Sequence, residues 1–287
     1  MPSLRDVRRR IRAVQNMGKI TKAMQVVAST KLRRAQQAVQ ATRPYAEKML
    51  EVLETTAERA TQYKHPYLEQ RTGDRALIVL ITTDKGLCGP LNTNLLRHVN
   101  RHVNRTYAGK ARYVTIGRKG RDFMTRFRRD IVAEVSNLPD RPPQGAILPA
   151  VRAALQEYEE GRVDTVLLAY SGWVSTLRQE PRMRPLVPVE IPDDIEDRTG
   201  ADYIYEPEPE AVLDQLLPRY IETQVYQAVL ENQASEYSAR MIAMQNATNA
   251  AGDLVKTLTL TANKVRQATI TTELMEIVGG AEALRGT

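Results

Sequence analysis

The side chains that could perform chemistry are few, and their spacing argues against most of it. His98 and His102 stand four residues apart on one predicted helical face, the separation that lets two imidazoles share a metal. The intervening Val99, Asn100 and Arg101 offer no carboxylate to complete such a site. His65 lies beside Pro66 in a connector, and the single cysteine, Cys88, has no basic neighbour nearer than Lys85. A lone thiol forms no intrachain disulfide and no thiolate cluster, so Cys88 reads as a buried or half-buried side chain rather than a nucleophile. The segment Thr83-Asp84-Lys85-Gly86-Leu87-Cys88-Gly89 follows a predicted strand and precedes a predicted helix, where α/β proteins often hold phosphate on backbone N–H groups. It lacks both the Gly-Lys-Ser/Thr ending of a P-loop and the three-glycine dinucleotide pattern, and Gly117-Arg118-Lys119-Gly120 is shorter still. No catalytic residue, metal ligand or cofactor is therefore assigned. The residues lead to a non-catalytic interaction protein.

The elements carrying these residues fall into three segments. Between Ser3 and Tyr63 stand one glycine, Gly18, and one proline, Pro44, and no proline follows Pro218, so both ends read as long helices. In the first, Leu32, Ala35, Val39, Thr42, Ala46, Met49, Leu53, Thr56 and Ala60 alternate spacings of three and four, the seam of a left-handed coiled coil. The last repeats this from Leu230 through Ala234, Tyr237, Met241, Met244, Thr248, Ala251, Val255, Leu258, Ala262 and Val265 to Thr269. It then slips by one residue to Ile270, Leu274, Ile277, Ala281 and Leu284, which should change the winding of the coil. Helices of ~57 and ~65 residues would be roughly 85 and 95 Å long, too long to lie on a small domain, so they are expected to protrude and to pair antiparallel. The middle changes period. Ala76–Thr82, Ala111–Ile116, Asp130–Val135 and Val163–Tyr170 read as strands, with helices at Leu91–Tyr107, Lys119–Phe127 and Ala146–Glu159. From Met183 to Tyr205 the pattern resembles a proline-broken edge strand. The expected fold class is α/β: a Rossmann-like central domain at 75–209, largely parallel, between coiled-coil helices at 1–62 and 210–287.

Composition narrows the partners. The 287 residues carry 42% hydrophobic and 26% charged side chains, which excludes disorder and collagen, while only 5% are aromatic. The longest apolar run, Ala76–Ile81, is far short of the ~20 residues of a membrane span, and the charged, Arg-rich start lacks the apolar stretch of a secretory signal. The formal net charge is +7, yet Met1–Arg43 alone holds eleven Lys and Arg against one acid, Asp6. Glu190–Asp214 reverses the balance with ten acids against Arg198 and reads as an acidic surface loop and hinge. A basic helix of this kind suits nucleic acid, an anionic membrane or an acidic protein sleeve.

Three stretches carry a resemblance that settles among these: Lys19-Ile20-Thr21-Lys22-Ala23-Met24, Thr83-Asp84-Lys85-Gly86-Leu87-Cys88-Gly89, and Ile270-Thr271-Thr272-Glu273-Leu274-Met275-Glu276-Ile277-Val278-Gly279-Gly280-Ala281. Together they resemble the gamma subunit of rotary ATP synthases over nearly the whole chain. The resemblance implies a non-catalytic central rotor shaft in a ring of alpha and beta subunits. It also implies a foot on the c-ring beside epsilon and indirect membrane contact through that ring. Ion-driven rotation would change the conformation of the alpha/beta catalytic sites, at the cytoplasmic face of a bacterial inner membrane. By motif matching, Met24, Arg240 and Gln267 would meet beta. The basic set Arg8, Arg9, Arg10, Arg12, Lys19 and Lys22 would face acidic surfaces of the ring, and Tyr203 and Tyr205 would lie near the c-ring and epsilon. Lys85 stands where many relatives have Arg, and the paired cysteines of chloroplast relatives are missing. The alternative is a nucleic-acid-binding basic coiled-coil protein. It lacks a stacking platform, since no aromatic residue precedes Tyr45.

Overall fold

The computed structural model describes residues 3–59, 63, 65–190 and 208–285. In chain order the elements are α1 (Leu4–Arg59), β1 (Ala76–Ile81), α2 (Leu91–Thr106), β2 (Ala111–Ile116), α3 (Arg118–Arg126), β3 (Asp130–Val135), a 3-10 turn (Gln144–Ala146), α4 (Leu148–Glu159), β4 (Thr165–Trp173), β5 (Gln179–Val187) and α5 (Pro209–Arg285). The strands form one sheet in the order β3-β2-β1-β4-β5, parallel except for β5, which runs antiparallel to β4. The proline-broken edge expected after Met183 is thus a nine-residue strand that starts earlier, at Gln179. Its prolines are tolerated because an edge strand leaves one row of N–H groups unpaired.

A parallel sheet needs cover on both faces, which explains why all six residues of β1 are apolar and buried. Ile78, Leu80, Tyr113, Leu167 and Ala169 pack on Leu95, Leu96, Val99 and Val103 of α2 and on Met124 of α3. On the opposite face Leu77, Val79, Ile81, Val114, Val166 and Leu168 meet Ala150, Val151, Ala154 and Tyr158 of α4. The same cluster takes in Met49 and Leu53 of α1 and Leu213, Leu217, Ile221, Val225 and Val229 of α5.

The chain divides into two compact units, Ala28–Arg240 and the pair Met1–Val27 with Met241–Thr287. Both terminal helices contribute to each unit. Parts of both also cover the sheet, a role that the expectation of a protruding antiparallel pair did not include. The last helix is 77 residues long rather than ~65, because it starts at Pro209 and accommodates Pro218 in its interior. Residues 220–240 are all buried or half-buried, so the stretch ahead of Leu230 shows no amphipathic stripe from which periodicity could find it.

In the second unit α1 and α5 run antiparallel. Thr21 and Thr248 share a hydrogen bond at 2.8 Å, Gln25 donates to Gln245, and a Cβ placed on Gly18 would sit 3.5 Å from that of Ala251. Along α1 the less exposed positions are Val7, Ile11, Val14, Gly18, Thr21, Gln25 and Ala28, which continue the heptad of Leu32 and Ala35 toward the N-terminus. Gly18, Thr21 and Gln25 hide this part of the seam from an apolar-only reading.

Candidate partner-binding surfaces

In the unit formed by the helix ends, the basic residues Arg8, Arg9, Arg10, Arg12, Lys19 and Lys22 are all exposed. Arg9 is held by Asp6 at 2.8 Å and Lys22 reaches Gln25 at 3.3 Å. The Ser3 hydroxyl, followed by Arg9 and Arg10, keeps the Asp6 carboxyl below its ordinary range despite its slight desolvation. Met24 is half-buried. Beside it Met17, Ile20 and Val27 are exposed, a second apolar stripe at spacings of three, four and three that the sequence reading does not single out. Its periodicity is a usable signal, masked by the stronger seam one position away. An open groove of about 850 Å³ runs along the helix pair between Val14, Gly18, Ala23 and Val26 on one side and Ala251, Gly252 and Val255 on the other, with Lys19 and Lys22 beside it.

Past Val265 the burial of α5 stops. Residues 266–281 are exposed throughout, Gln267 among them, and Ile270, Leu274, Met275, Ile277 and Val278 present an apolar surface, Ile277 at 68% exposure. The slipped stripe therefore begins where the burial of α5 ends. Tyr203 and Tyr205 lie outside the described residues.

Arg240 belongs to the other unit and is spoken for. Its guanidinium pairs with Glu236 at 2.6 Å, with both side chains nearly buried at 11% and 13% exposure, and donates to the Gly86 carbonyl at 3.1 Å. Burial pushes the Glu236 carboxyl up, and Arg240 opposes that shift. These groups line a cleft of about 250 Å³ at the carboxyl ends of β1 and β2, together with Lys31, Asp84, Lys85, Asp140 and Tyr237.

The Gly117–Gly120 turn has its N–H groups satisfied from within. Arg118 N–H donates to Asp84, Lys119 N–H to the Thr83 carbonyl and Gly120 N–H to the Thr82 hydroxyl. Gly117 has φ +105°, and a Cβ there would lie 2.1 Å from the Thr82 carbonyl oxygen, so this turn is packed for closeness rather than left open. Cys88 is buried, accepts a hydrogen bond from Asn92 at 3.4 Å, and has its thiol pushed up by burial, which suits an inert side chain. His98 is exposed and His102 half-buried beside Tyr107, its pKa lowered by burial.

One unit is a five-stranded, mainly parallel α/β layer, and the other is an antiparallel helix pair that carries uncovered apolar and basic side chains. Residues 3–284 match the family model described as ATP synthase. The chain is 47% identical to the ATP synthase gamma chain of Chloroflexus aurantiacus, over 99% of both sequences. It is 45% identical to that of Desulfitobacterium hafniense, over 99% of this chain and all of the relative. The central stalk and c-ring structure of the Tetrahymena thermophila mitochondrial ATP synthase contains a chain that is 26% identical with TM-score 0.60. That match covers 79% of this chain and 99% of the other. A chain of the Euglena gracilis mitochondrial enzyme shares the fold at TM-score 0.57 and 22% identity, over 92% and 95%. This chain belongs to the ATP synthase gamma chain family, a subunit of the enzyme complex rather than its catalytic one. Membership displaces the nucleic-acid alternative. No helix among the described residues is long and apolar enough to cross a membrane.

Proposed function

We propose that this chain is the central rotor shaft of an ATP synthase, turned by an ion-driven c-ring through a foot beside epsilon and acting on the alpha/beta sites at the cytoplasmic face of a bacterial inner membrane. The observation that carries this reading is the uncovered apolar stretch Ile270–Val278 in a chain that matches gamma chains end to end. Five large apolar side chains on two turns of helix require a partner's walls for cover. The exposed basic set on α1 supplies a charged collar on the same unit that acidic groups of a surrounding ring would orient.

The physics of such a shaft is differential contact, since a rod that touched every conformation of its partner equally could shift none of them. Helices of unlike charge, with different uncovered apolar stripes at Met17–Val27 and Ile270–Val278 and a groove between the helices, provide the asymmetry. Met24, Gln267 and the arginines stand where contact with beta and alpha is direct. Arg240 is different: a beta carboxylate reaches it only by competing with Glu236 and Gly86. The division into helical segments 1–62 and 210–287 with a foot at 75–209 is part of this reading, as are Tyr203 and Tyr205 as anchors toward the c-ring and epsilon.

Purifying the tagged chain from detergent-solubilised membranes of its host tests the assignment. Alpha, beta and epsilon should accompany it, with ATP hydrolysis in the same fraction. Recovery of the chain alone, or with polynucleotide released by salt, would end the rotor reading.

A further inference from the structure

A shaft that is turned through its α/β body needs a place where the turning force passes from sheet to helix. The hydrophobic effect is itself non-directional, so apolar packing resists turning only through the interlocking of side-chain shapes. Directional bonds at the rim of the helix resist such rotation.

One stretch of α5, Tyr226 to Ser238, carries such bonds on two sides. Toward the segment Pro139-Asp140-Arg141-Pro142-Pro143, the Tyr226 hydroxyl donates to the Pro142 carbonyl at 3.0 Å and the Gln233 amide to the Pro139 carbonyl at 3.0 Å. The Tyr237 hydroxyl donates to Asp140 at 2.8 Å. Lys31 of α1 closes on the same carboxylate at 2.8 Å, so Asp140 ties both long helices to one strap. Burial alone would raise the Asp140 carboxyl, but its bonds to Lys31 and Tyr237 hold it below its ordinary range, so it stays charged. Toward β4 and the β4–β5 connection, Asn232 accepts from the Ser171 N–H at 3.2 Å. Ser238 donates to the Thr176 carbonyl at 2.6 Å and accepts from Gln179 at 3.2 Å.

Three prolines in five residues fix the backbone of the first strap in advance, so little freedom remains in it to absorb a twist. Bonds on two sides of a helix act as a couple. We infer that Tyr226–Ser238, gripped between the proline strap 139–143 and the β4–β5 end of the sheet, is the torque-bearing joint of this protein, with Asp140 and Tyr237 as its positioning residues. The inference rests on the rotor reading.

The test uses the complete synthase with its alpha/beta ring immobilised. A probe is carried on Leu177→Cys, a position 82% exposed at the β4–β5 turn, while the buried Cys88 is spared. Angular variance within each dwell is inversely proportional to torsional stiffness. Tyr237→Phe, which keeps the ring and deletes one hydroxyl, and Asp140→Ala should each raise that variance, Asp140→Ala by about twofold. The pair should give no more than Asp140→Ala alone, because the two act through one bond. Dwell positions should not change. Should Asp140→Ala fail to assemble, Tyr237→Phe decides by itself. Variance equal to that of the unsubstituted protein in assembled Tyr237→Phe complexes overturns the joint. Absence of stepping in the unsubstituted complex would instead overturn the rotor reading beneath it.

Discussion

Arg240 and Glu236 are one turn apart on α5 and almost sealed from water, and the guanidinium favours the charged form of the Glu236 carboxyl that burial opposes. Removing the guanidinium leaves a buried carboxylate unpaired. Arg240→Ala should therefore cost about 3 kcal/mol in urea unfolding of the isolated chain, and adding Glu236→Gln should recover part of it. The sign of the pH effect follows from burial. Glu236 has a folded pKa above its unfolded one, so its contribution is complete below the unfolded value and is lost as pH rises through the folded value. Arg240→Ala, by removing the opposing charge, should make the loss with rising pH steeper. Asp164 behaves oppositely. Arg75 grips it through Nε at 3.0 Å and Nη2 at 2.6 Å, and these bonds hold its carboxyl below the ordinary value. That stability is present above the unfolded pKa and disappears as pH falls through the folded one. In Asp164→Asn the decline of the urea midpoint below about pH 4 should flatten.

At the scale of elements, the helix pair is held by small and hydroxylated residues. Thr21, Thr248, Gly18 and Ala251 allow close approach of the two backbones but bury little apolar area. Marginal seams of this kind leave room for improvement. Gly252 is helical, has no positive φ, and a Cβ there would meet nothing within 4 Å. Gly252→Ala should raise the stability of the isolated chain by about 0.5–1 kcal/mol, read as an upward shift in thermal midpoint. A fall would mean that the groove lined by Val14, Val26 and Val255 closes on that position.

For the whole molecule, the distribution of cover separates folding from coupling. The sheet with its helical layers contains the large apolar clusters, whereas residues 266–281 are exposed throughout and belong to neither cluster. Deleting the chain beyond Arg266 should change the unfolding free energy of the isolated chain by less than about 0.5 kcal/mol. The same deletion should reduce ATP synthesis in the assembled complex severalfold. A large loss of stability with intact synthesis would reverse the roles of the two ends of α5.

Period and punctuation in the sequence sufficed for the strands and short helices of the central layer, because strands covered on both faces are apolar runs and one-sided burial of a helix forces apolar residues into spacings of three and four. β2 and β3 lie at the bounds that pattern predicts; β4 is displaced to Thr165–Trp173. The motifs at Lys19–Met24, Thr83–Gly89 and Ile270–Ala281 were enough for the family. Tertiary structure decided what carries no period of its own. The part of α5 just ahead of Leu230 is covered on all sides and so shows no stripe, and the seam from Val7 to Gln25 runs through glycine, threonine and glutamine. Arg240, a candidate partner contact by its motif, also has the intrachain partners Glu236 and Gly86, and Asp140 meets Lys31 and Tyr237 across 109 and 97 residues of chain. Long-range polar pairs leave no trace in local spacing, since a side chain's partner is fixed by where the backbone brings it.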